Sequence, residues 1–326
     1  MPDHGGNLDE AIRLHGGSRK TWIDLSTGIN PRPYPLPAIP DHAWSALPTR
    51  NSIDKLETAA GRAYGTGGCT LAMSGVQSAI QLIPRLKPAG QARILGPTYN
   101  EHAAAFEAAD WRVEHVSTLE GLAGADTAVV VNPNNPDGQR HEPDALVELS
   151  YRVGLLVVDE SFCDVAPGLS VASRIGTETA SLLVQRSFGK FYGLAGIRLG
   201  FVMSGSGTVD ALRRLAGPWP VSGPAIAVAT TTLSDDAWRI QTIRRLERDA
   251  SRLDRLALRA GWRLVGGTPL FRTYEIDNMD EARKRLISHR VWPRVFPNRP
   301  KWLRLGIPCE TEHWLRVDEA LRQPGC

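Results

Sequence analysis

The chain has 326 residues, of which 42% are hydrophobic and 22% are charged, and its formal net charge is +3. This composition is typical of a globular protein and excludes a disordered or fibrous chain, and the length suits about two domains. The charge is too small and too dispersed for a nucleic-acid groove, so we expect no nucleic-acid partner. No apolar run approaches the ~20 residues that cross a bilayer, and no signal peptide opens the chain. We therefore expect a cytoplasmic protein without membrane contact.

The cysteines and the arginine-rich stretch do not indicate further sites. None of the cysteines lies in a pair or beside a histidine cluster with zinc spacing, so we expect reduced thiols and no metal centre. The stretch 239–259 carries apolar residues at helical spacing, and its charges are interpreted as the wet face of a helix. The cysteines are Cys69, Cys163, Cys309 and Cys326.

The predicted elements fall into three stretches of the chain. Residues 1–48 are rich in proline and glycine and indicate an extended arm. Residues 49–222 alternate short β-branched runs with helical segments, a pattern typical of a parallel sheet flanked by helices. Residues 223–326 indicate a second, α+β domain, which begins with a long amphipathic helix. Its strands and its next helix are predicted at Trp262–Val265, Leu270–Ile276 and Met279–Arg290.

Three buried strands predicted in the middle of the chain end in polar clusters. Ligands of open α/β sheets bind beyond the carboxyl ends of the strands, so one pocket is expected to gather the three clusters. The strands are predicted at Thr127–Val131, Leu155–Val158 and Leu182–Gln185.

The run Ser187–Gly200, SFGKFYGLAGIRLG, surrounds one lysine, Lys190, with small residues and places Arg198 eight positions later. A lysine attacks an aldehyde only as the neutral amine, and nearby glycines let backbone and ligand approach closely. The hydroxyl of Ser187 and the guanidinium of Arg198 suit a phosphate ester. The alternative interpretation is a glycine-rich surface loop with a solvated lysine.

This run resembles the Schiff-base signature of the class I/II aminotransferases, the pyridoxal 5'-phosphate (PLP) enzymes of fold type I. The resemblance implies an α/β fold in which a large domain, residues 49–222, binds PLP on a mostly parallel central sheet flanked by helices. It also implies a smaller α+β domain assembled from both chain ends, residues 1–48 and 223–326. Lys190 is then the lysine that holds PLP.

Two further loop residues match the cofactor site of this family. Asp159 follows a buried strand and is similar to the acid that pairs with the pyridine nitrogen of PLP, a helix N-cap being the alternative. Asn135 resembles the asparagine that donates to the phenolic oxygen of PLP, although Asn-Pro units alone indicate a turn. Phe162 stands where the family often has a tyrosine, so a second bond to that oxygen should be missing.

Residues nearer the amino terminus match the phosphate and ring contacts of the family. The turn at Gly75, Val76 and Gln77 opens a helix whose amides suit the PLP phosphate, or it is a plain helix N-cap. Tyr99 matches the aromatic residue that stacks on the PLP ring, a core tyrosine being the alternative. Tyr64 resembles a tyrosine that reaches the phosphate of the neighbouring subunit, which implies a homodimer.

The amino-terminal run His4-Gly5-Gly6-Asn7, followed by Ile23–Pro31, is similar to the start of the L-threonine-O-3-phosphate decarboxylases of cobalamin (vitamin B12) biosynthesis. Glycine amides beside a histidine bind phosphate, and arginine adds charge-assisted bonds to phosphate or carboxylate. A functionless tail is the alternative for the first residues. The similarity implies a substrate site made of His4, Gly5, Gly6, Gly28, Asn30, Arg294 and Arg304.

The function predicted from these resemblances is PLP-dependent decarboxylation of L-threonine O-3-phosphate to (R)-1-amino-2-propanol O-2-phosphate. An aminotransferase that acts on a phosphorylated or aromatic amino acid, such as a histidinol-phosphate aminotransferase, would use the same pocket, because substrate geometry selects the bond that breaks. A non-catalytic PLP-binding scaffold is a third possibility. A scaffold is expected to lose Lys190 or Arg198, and both are present.

Overall fold

The computed structural model describes residues 5–176 and 181–322. The chain divides into two compact units. Unit 1 consists of Met1–Pro33, Pro136–Gly138 and Ile240–Cys326, and unit 2 consists of Tyr34–Asn135 and Gln139–Arg239. The domain boundaries predicted from the sequence, after residues 48 and 222, stay a prediction.

The strands and helices are numbered in chain order. The strands are β1 Ile23–Asp24, β2 Cys69–Met73, β3 Gln91–Leu95, β4 Arg112–Val116, β5 Thr127–Val131, β6 Leu156–Asp159, β7 Leu182–Ser187, β8 Gly200–Ser204, β9 Arg263–Thr268, β10 Phe271–Glu275, β11 Val291–Trp292, β12 Arg294–Phe296 and β13 Arg299–Gly306. The α-helices are α1 Leu8–His15, α2 His42–Ser45, α3 Arg50–Tyr64, α4 Val76–Leu82, α5 Glu101–Glu107, α6 Pro143–Ser150, α7 Phe188–Phe191, α8 Ser206–Ala216, α9 Gly223–Thr232, α10 Asp236–Arg259, α11 Met279–Ser288 and α12 Thr311–Leu321.

Unit 2 is built on a seven-stranded sheet with the strand order β2-β8-β7-β6-β5-β3-β4. The strands from β4 to β7 pair in parallel, and β8 is antiparallel to both of its neighbours. Every residue of β5 and β6 is buried, as expected for strands that are covered on both faces. This mostly parallel sheet with flanking helices confirms the predicted α/β fold.

The carboxyl ends of the central strands lie level with one another. Val131 at the end of β5 pairs with Asp159 at the end of β6, and Asp159 pairs with Gln185 near the end of β7. The polar segments that follow these strands therefore leave the sheet at the same edge, which is where ligands of such sheets bind.

Unit 1 joins the amino-terminal arm to the carboxyl-terminal part of the chain. β1 of the arm pairs in parallel with β11, and β12-β13-β10-β9 form an antiparallel four-stranded sheet. The buried core of this unit contains Leu253 from α10, Leu286 from α11 and Val317 from α12. Most arginines of the stretch 239–259 lie on the solvent-exposed side of α10, as predicted, although Ile240 is also exposed.

In the parts of the chain that the structure describes, no helix has both the length and the apolar character needed to cross a membrane.

Candidate active site

Asp159 is the last residue of β6, and its side chain is buried and hydrogen-bonded on both oxygens. Its Oδ1 accepts from the backbone N–H of Ser161 at 2.9 Å, and its Oδ2 lies 3.0 Å from Nε2 of His102. Burial raises the pKa of Asp159, but the hydrogen bonds from His102 and Ser161 and the charge of Lys190 lower it, and the balance is below the usual value. Asp159 is therefore a carboxylate that can hold a cation beside it.

His102 was not found by the sequence analysis. It lies in α5 with 2% of its side chain exposed and contacts Asp159 across a separation of 57 residues. An ionised carboxylate only accepts hydrogen bonds, so Nε2 of His102 must be the donor in this pair. The position of His102 shortly after Gly96-Pro97-Thr98-Tyr99 could have indicated it, because the turn that carries Tyr99 leads directly into α5.

Lys190 lies in α7, the single helical turn that follows β7. Its Nζ lies 4.4 Å from the centroid of the Phe162 ring, which is buried. The turn depends on Gly189, because a Cβ there would lie 2.6 Å from Cα of Ala195. Phe162 therefore presents a ring face to the lysine amine, and it has no hydroxyl to offer a ligand.

Gly75 and Arg198 come together at the start of α4. Gly75 has a φ of +78°, and a Cβ at this position would lie 3.0 Å from Nη2 of Arg198. Gly200 also packs against the start of α4, because a Cβ there would lie 2.6 Å from the backbone nitrogen of Val76. Gly200 pairs with Ser187 across β7 and β8. A guanidinium, a hydroxyl and the free amides of a helix start thus share one end of the sheet, an arrangement that suits a phosphate.

Tyr99 is held by a chain of side-chain hydrogen bonds. Its hydroxyl donates to Oε1 of Gln77 at 3.2 Å, and Nε2 of Gln77 donates to Oε2 of Glu101 at 2.8 Å. Burial, with the charges of Glu101 and Asp159, raises the pKa of Tyr99 to about 12, so the phenol stays protonated. Its ring lies edge to face with His102, with the centroids 6.2 Å apart.

Asn135 lies in the loop after β5, partly exposed, and its neighbour Asn134 fixes this loop. Oδ1 of Asn134 accepts from the hydroxyl of Thr98 at 2.6 Å, and its Nδ2 donates to the carbonyl oxygen of Pro97 at 2.8 Å. The Asn-Pro loop is thereby tied to the turn that carries Tyr99, and both lie in unit 2. Asn135 follows directly from this anchored residue.

Tyr64 is buried in unit 2, and its predicted contact with the phosphate of a neighbouring subunit stays a prediction. This residue ends α3, and its ring packs 5.8 Å from Phe201 and 4.7 Å from the guanidinium of Arg186. Its hydroxyl is buried without a hydrogen-bond partner among the residues that are described. Arg186 in turn forms an ion pair with Glu160 at 3.0 Å. The ring and the hydroxyl of Tyr64 are thus packed against residues of unit 2.

In unit 1, Arg294 and Arg304 lie opposite each other on β12 and β13. Arg304 is 7% exposed, and its Nη2 donates to the carbonyl oxygen of Ser26 at 2.7 Å. Burial and the charge of Arg294 hold the pKa of Arg304 well below its usual value, and the negative charge of Asp24 offsets part of this shift. A pair of guanidiniums in such a place is suited to an anionic ligand.

The amino-terminal glycines lie against the same Ser26. The backbone nitrogen of Gly6 donates to Oγ of Ser26 at 2.7 Å, and a Cβ on Gly5 would lie 2.3 Å from its carbonyl oxygen. The hydroxyl of Ser26 donates to Oδ1 of Asp24 at 2.6 Å. The structure thus brings Gly5 and Gly6 together with Arg304. His4, which the sequence also predicts, lies outside the described residues.

Gly28 and Asn30 lie in the same segment of unit 1, and both are buried. Oδ1 of Asn30 accepts from Nη2 of Arg245 at 2.8 Å and from the backbone nitrogen of Arg32 at 3.1 Å. Asn30 therefore anchors two further arginines, which the sequence analysis did not single out.

The family model of class I and II aminotransferases matches residues 21–318 of the chain. The chain is also similar to curated proteins over nearly its whole length. It is 42% identical to the threonine-phosphate decarboxylase of Sinorhizobium sp, with 98% of this chain and 97% of that protein covered. It is 40% identical to the threonine-phosphate decarboxylase of Pseudomonas aeruginosa, with the same coverage of both chains, 98% and 97%.

Solved structures share the fold. The histidinol-phosphate aminotransferase of Sinorhizobium meliloti, solved in complex with pyridoxal-5'-phosphate, has a TM-score of 0.81 at 19% identity, covering 98% of this chain and 94% of that chain. The L-threonine-O-3-phosphate decarboxylase of Porphyromonas gingivalis has a TM-score of 0.73 at 19% identity, with coverage of 91% and 97%. At this identity the likeness establishes the fold alone.

Proposed function

The chain belongs to the class I and II aminotransferase family, and we propose that it is the PLP-dependent enzyme that decarboxylates L-threonine O-3-phosphate to (R)-1-amino-2-propanol O-2-phosphate in cobalamin biosynthesis. The two curated relatives named threonine-phosphate decarboxylase support this proposal. The structural observation that carries it is the buried Arg304 opposite Arg294.

Two adjacent guanidiniums, one of them buried, repel each other and lose solvation. A bound anion offsets both penalties, and a dianion offsets them better than a single carboxylate. L-Threonine O-3-phosphate carries a phosphate and a carboxylate, so it supplies one anionic group for each arginine. Arg304 binds the α-carboxylate, and Arg294 binds the phosphate.

The residues of unit 2 fit PLP. Arg198 and the first amides of α4 meet at Gly75, where a Cβ would lie 3.0 Å from Nη2 of Arg198, and this donor set suits the phosphate of PLP. Asp159 is an ionised carboxylate at the end of β6 and suits a protonated ring nitrogen. Lys190 supplies the amine for the aldehyde carbon, and Tyr99 supplies a neutral aromatic ring to lie on the pyridine ring.

When bound, PLP accepts the electrons released at the α-carbon of the substrate. Asp159 holds a proton on the ring nitrogen and so keeps the ring electron-deficient. Nζ of Lys190 would hold the aldehyde carbon of PLP and, as a free amine, would carry the proton that returns to the α-carbon. Asn135 donates to the phenolic oxygen, while Phe162 offers no second bond.

We also propose the oligomeric state and the cellular location of the enzyme. The subunits form a homodimer in the cytoplasm. Trp44, Leu47 and Trp219 are 68%, 66% and 53% exposed and line one groove of unit 2, and neighbouring exposed apolar side chains of this kind suit a contact with a second subunit. Analytical sedimentation tests this homodimer. We expect Leu47→Asp to sediment as a monomer, whereas wild type and the control Leu258→Asp on α10 sediment as dimers. A monomeric wild type would contradict it.

The proposed reaction is tested by comparing L-threonine O-3-phosphate with L-threonine. Purified protein is loaded with PLP, and carbon dioxide is measured without any 2-oxo acid. We expect release from the phosphorylated substrate, together with aminopropanol phosphate, and at least ~100-fold slower release from L-threonine, because a charged pair without its anion loses about 3 kcal/mol. Equal rates would contradict the role of the arginine pair.

A further inference from the structure

The tip of the loop after β5, Pro136–Gly138, belongs to unit 1, although its neighbours Asn135 and Gln139 belong to unit 2. The hydroxyl of Thr273 on β10 donates to the carbonyl oxygen of Pro136 at 2.5 Å, and the two residues are 137 positions apart in the chain. Thr273 is fully buried, and a buried hydroxyl and a buried carbonyl are strongly favoured to pair. This hydrogen bond therefore fixes the residue that directly follows Asn135.

Two glycines of β9 make room for the same loop tip. A Cβ on Gly266 would collide with the carbonyl oxygen of Asp137, and a Cβ on Gly138 would collide with the backbone of Gly267. Glycine inside a strand often marks a place where another backbone approaches closely. The sheet of unit 1 is thus shaped to receive the backbone of the loop tip.

Thr273 also lies beside the arginines of the proposed substrate site. It pairs with Gly266 on β9 and with Arg304 on β13, and Arg304 pairs in turn with Arg294. Side chains at paired positions of neighbouring strands leave a sheet on the same face. One face of this sheet therefore carries both the contact with the loop tip and the two guanidiniums.

We propose that Thr273 is a positioning residue for Asn135: its hydroxyl holds the carbonyl oxygen of Pro136 and so keeps the amide of Asn135 directed at the phenolic oxygen of PLP. On its other side, Asn135 follows Asn134, whose side chain is hydrogen-bonded through both its oxygen and its nitrogen. Hydrogen bonds weaken steeply with misalignment, so a small shift of Pro136 affects the bond from Asn135. This inference rests on the proposed function, because it requires the phenolic oxygen of PLP.

Thr273→Val removes the hydroxyl and keeps the shape of the side chain. The bond from Asn135 stabilises negative charge on the phenolic oxygen and so reduces the attraction of that oxygen for a proton on the nitrogen of Lys190. The visible band of PLP-loaded protein reports this proton, and its titration midpoint should rise by about half a pH unit. The dissociation constant for PLP should rise about threefold. Asp159, whose charge interacts with that of Lys190, and its partner His102 are kept in every variant.

Matched variants separate this role from packing. Thr273→Ser keeps the hydroxyl and should keep the wild-type midpoint. Thr268→Val removes another fully buried hydroxyl of the same sheet, which accepts from the backbone nitrogen of Leu270 at 3.2 Å. Its melting temperature should fall while the midpoint stays as in wild type. Thr273→Ala, with a smaller side chain, replaces Thr273→Val if the latter does not fold.

The double variant Asn135→Ala/Thr273→Val tests whether Thr273 acts through Asn135. We expect each single variant to raise the midpoint, and we expect the double variant to raise it no further than Asn135→Ala does. Additive rises would contradict the inference, because Thr273 would then act by another route.

The results distinguish this inference from the function on which it rests. A wild-type protein that shows no visible band with PLP would overturn both. A band whose midpoint is the same in wild type, Thr273→Val and Thr268→Val would overturn the role of Thr273 alone. A midpoint that rises in Thr273→Val, stays in Thr273→Ser and Thr268→Val, and rises no further in the double variant than in Asn135→Ala would establish it.

Discussion

The guanidinium of Arg198 lies over Gly75, so close that a single methyl group on Gly75 would come within 3.0 Å of Nη2. These residues are far apart in the sequence, and their meeting point is the start of α4. The absence of a side chain at Gly75 therefore leaves room for the guanidinium of Arg198 at this position.

Gly75→Ala tests this arrangement. The methyl group displaces Arg198, and the φ of +78° at this position is unfavourable for alanine. We expect the dissociation constant for PLP to rise about tenfold and the free energy of unfolding to fall by about 1 kcal/mol. The control is Gly207→Ala in α8, where a Cβ meets nothing within 4 Å. Equal PLP binding in wild type and Gly75→Ala would show that Arg198 and the start of α4 do not hold the phosphate.

Asp159→Asn tests the charge at the end of β6. The folded pKa of Asp159 lies below its unfolded value of about 3.9. Its contribution to the free energy of unfolding is thus present above about pH 4 and is lost as the pH falls through the folded pKa. Urea unfolding should show the advantage of wild type over the variant shrinking below pH 4. Activity at neutral pH should fall at least ~100-fold.

The control for this variant is Asp210→Asn, which replaces an exposed aspartate of α8. It should leave both activity and the acid dependence as in wild type. A difference between wild type and Asp159→Asn that stays constant from pH 6 to pH 3 would mean that Asp159 is not held as a stabilised carboxylate.

Arg304→Lys tests the substrate site. Lysine keeps the positive charge but lacks the planar fork that bonds the carbonyl oxygen of Ser26 and a carboxylate together. KM for L-threonine O-3-phosphate should rise about tenfold to a hundredfold, with PLP binding unchanged. Arg299→Lys, on the same strand and exposed, is the control. A KM unchanged in Arg304→Lys would remove this residue from the substrate site.

Tyr64→Phe tests whether the hydroxyl of Tyr64 contacts a phosphate. The hydroxyl is buried without a partner among the described residues, so its removal should leave the free energy of unfolding unchanged or raise it by up to about 1 kcal/mol. The dissociation constant for PLP should equal that of wild type. Weaker PLP binding in Tyr64→Phe would instead support the contact with a phosphate that the family resemblance implies.

Much of the large sheet was predictable from the sequence. Five apolar or β-branched residues between polar neighbours predict β5 with the bounds that the structure has, Thr127–Val131. β6 begins one residue later than predicted and includes Asp159, and β7 continues to Ser187. The sequence did not predict these strand ends because the last residues of β6 and β7 are polar. Side-chain type indicates burial, whereas backbone pairing determines where a strand ends.

The contacts that complete the site were less accessible to sequence analysis. The hydrogen bond between His102 and Asp159 joins two elements that are distant in the chain, and no periodicity signals it. The opposition of Arg294 and Arg304 depends on the register of β12 with β13, which includes an irregularity after Val295. The family resemblance identified both arginines, but only the pairing of β12 with β13 shows that their charges lie side by side.

Carboxyl-labelled substrate tests the central claim most directly. L-Threonine O-3-phosphate carrying ¹³C in its carboxyl group is incubated with PLP-loaded protein in the presence of 2-oxoglutarate, so that decarboxylation and amino transfer compete. We predict that the label leaves as carbon dioxide, that aminopropanol phosphate forms in equal amount, and that no glutamate appears. Retention of the label in a 2-oxo acid, with matching glutamate, would contradict the decarboxylase and make the protein an aminotransferase.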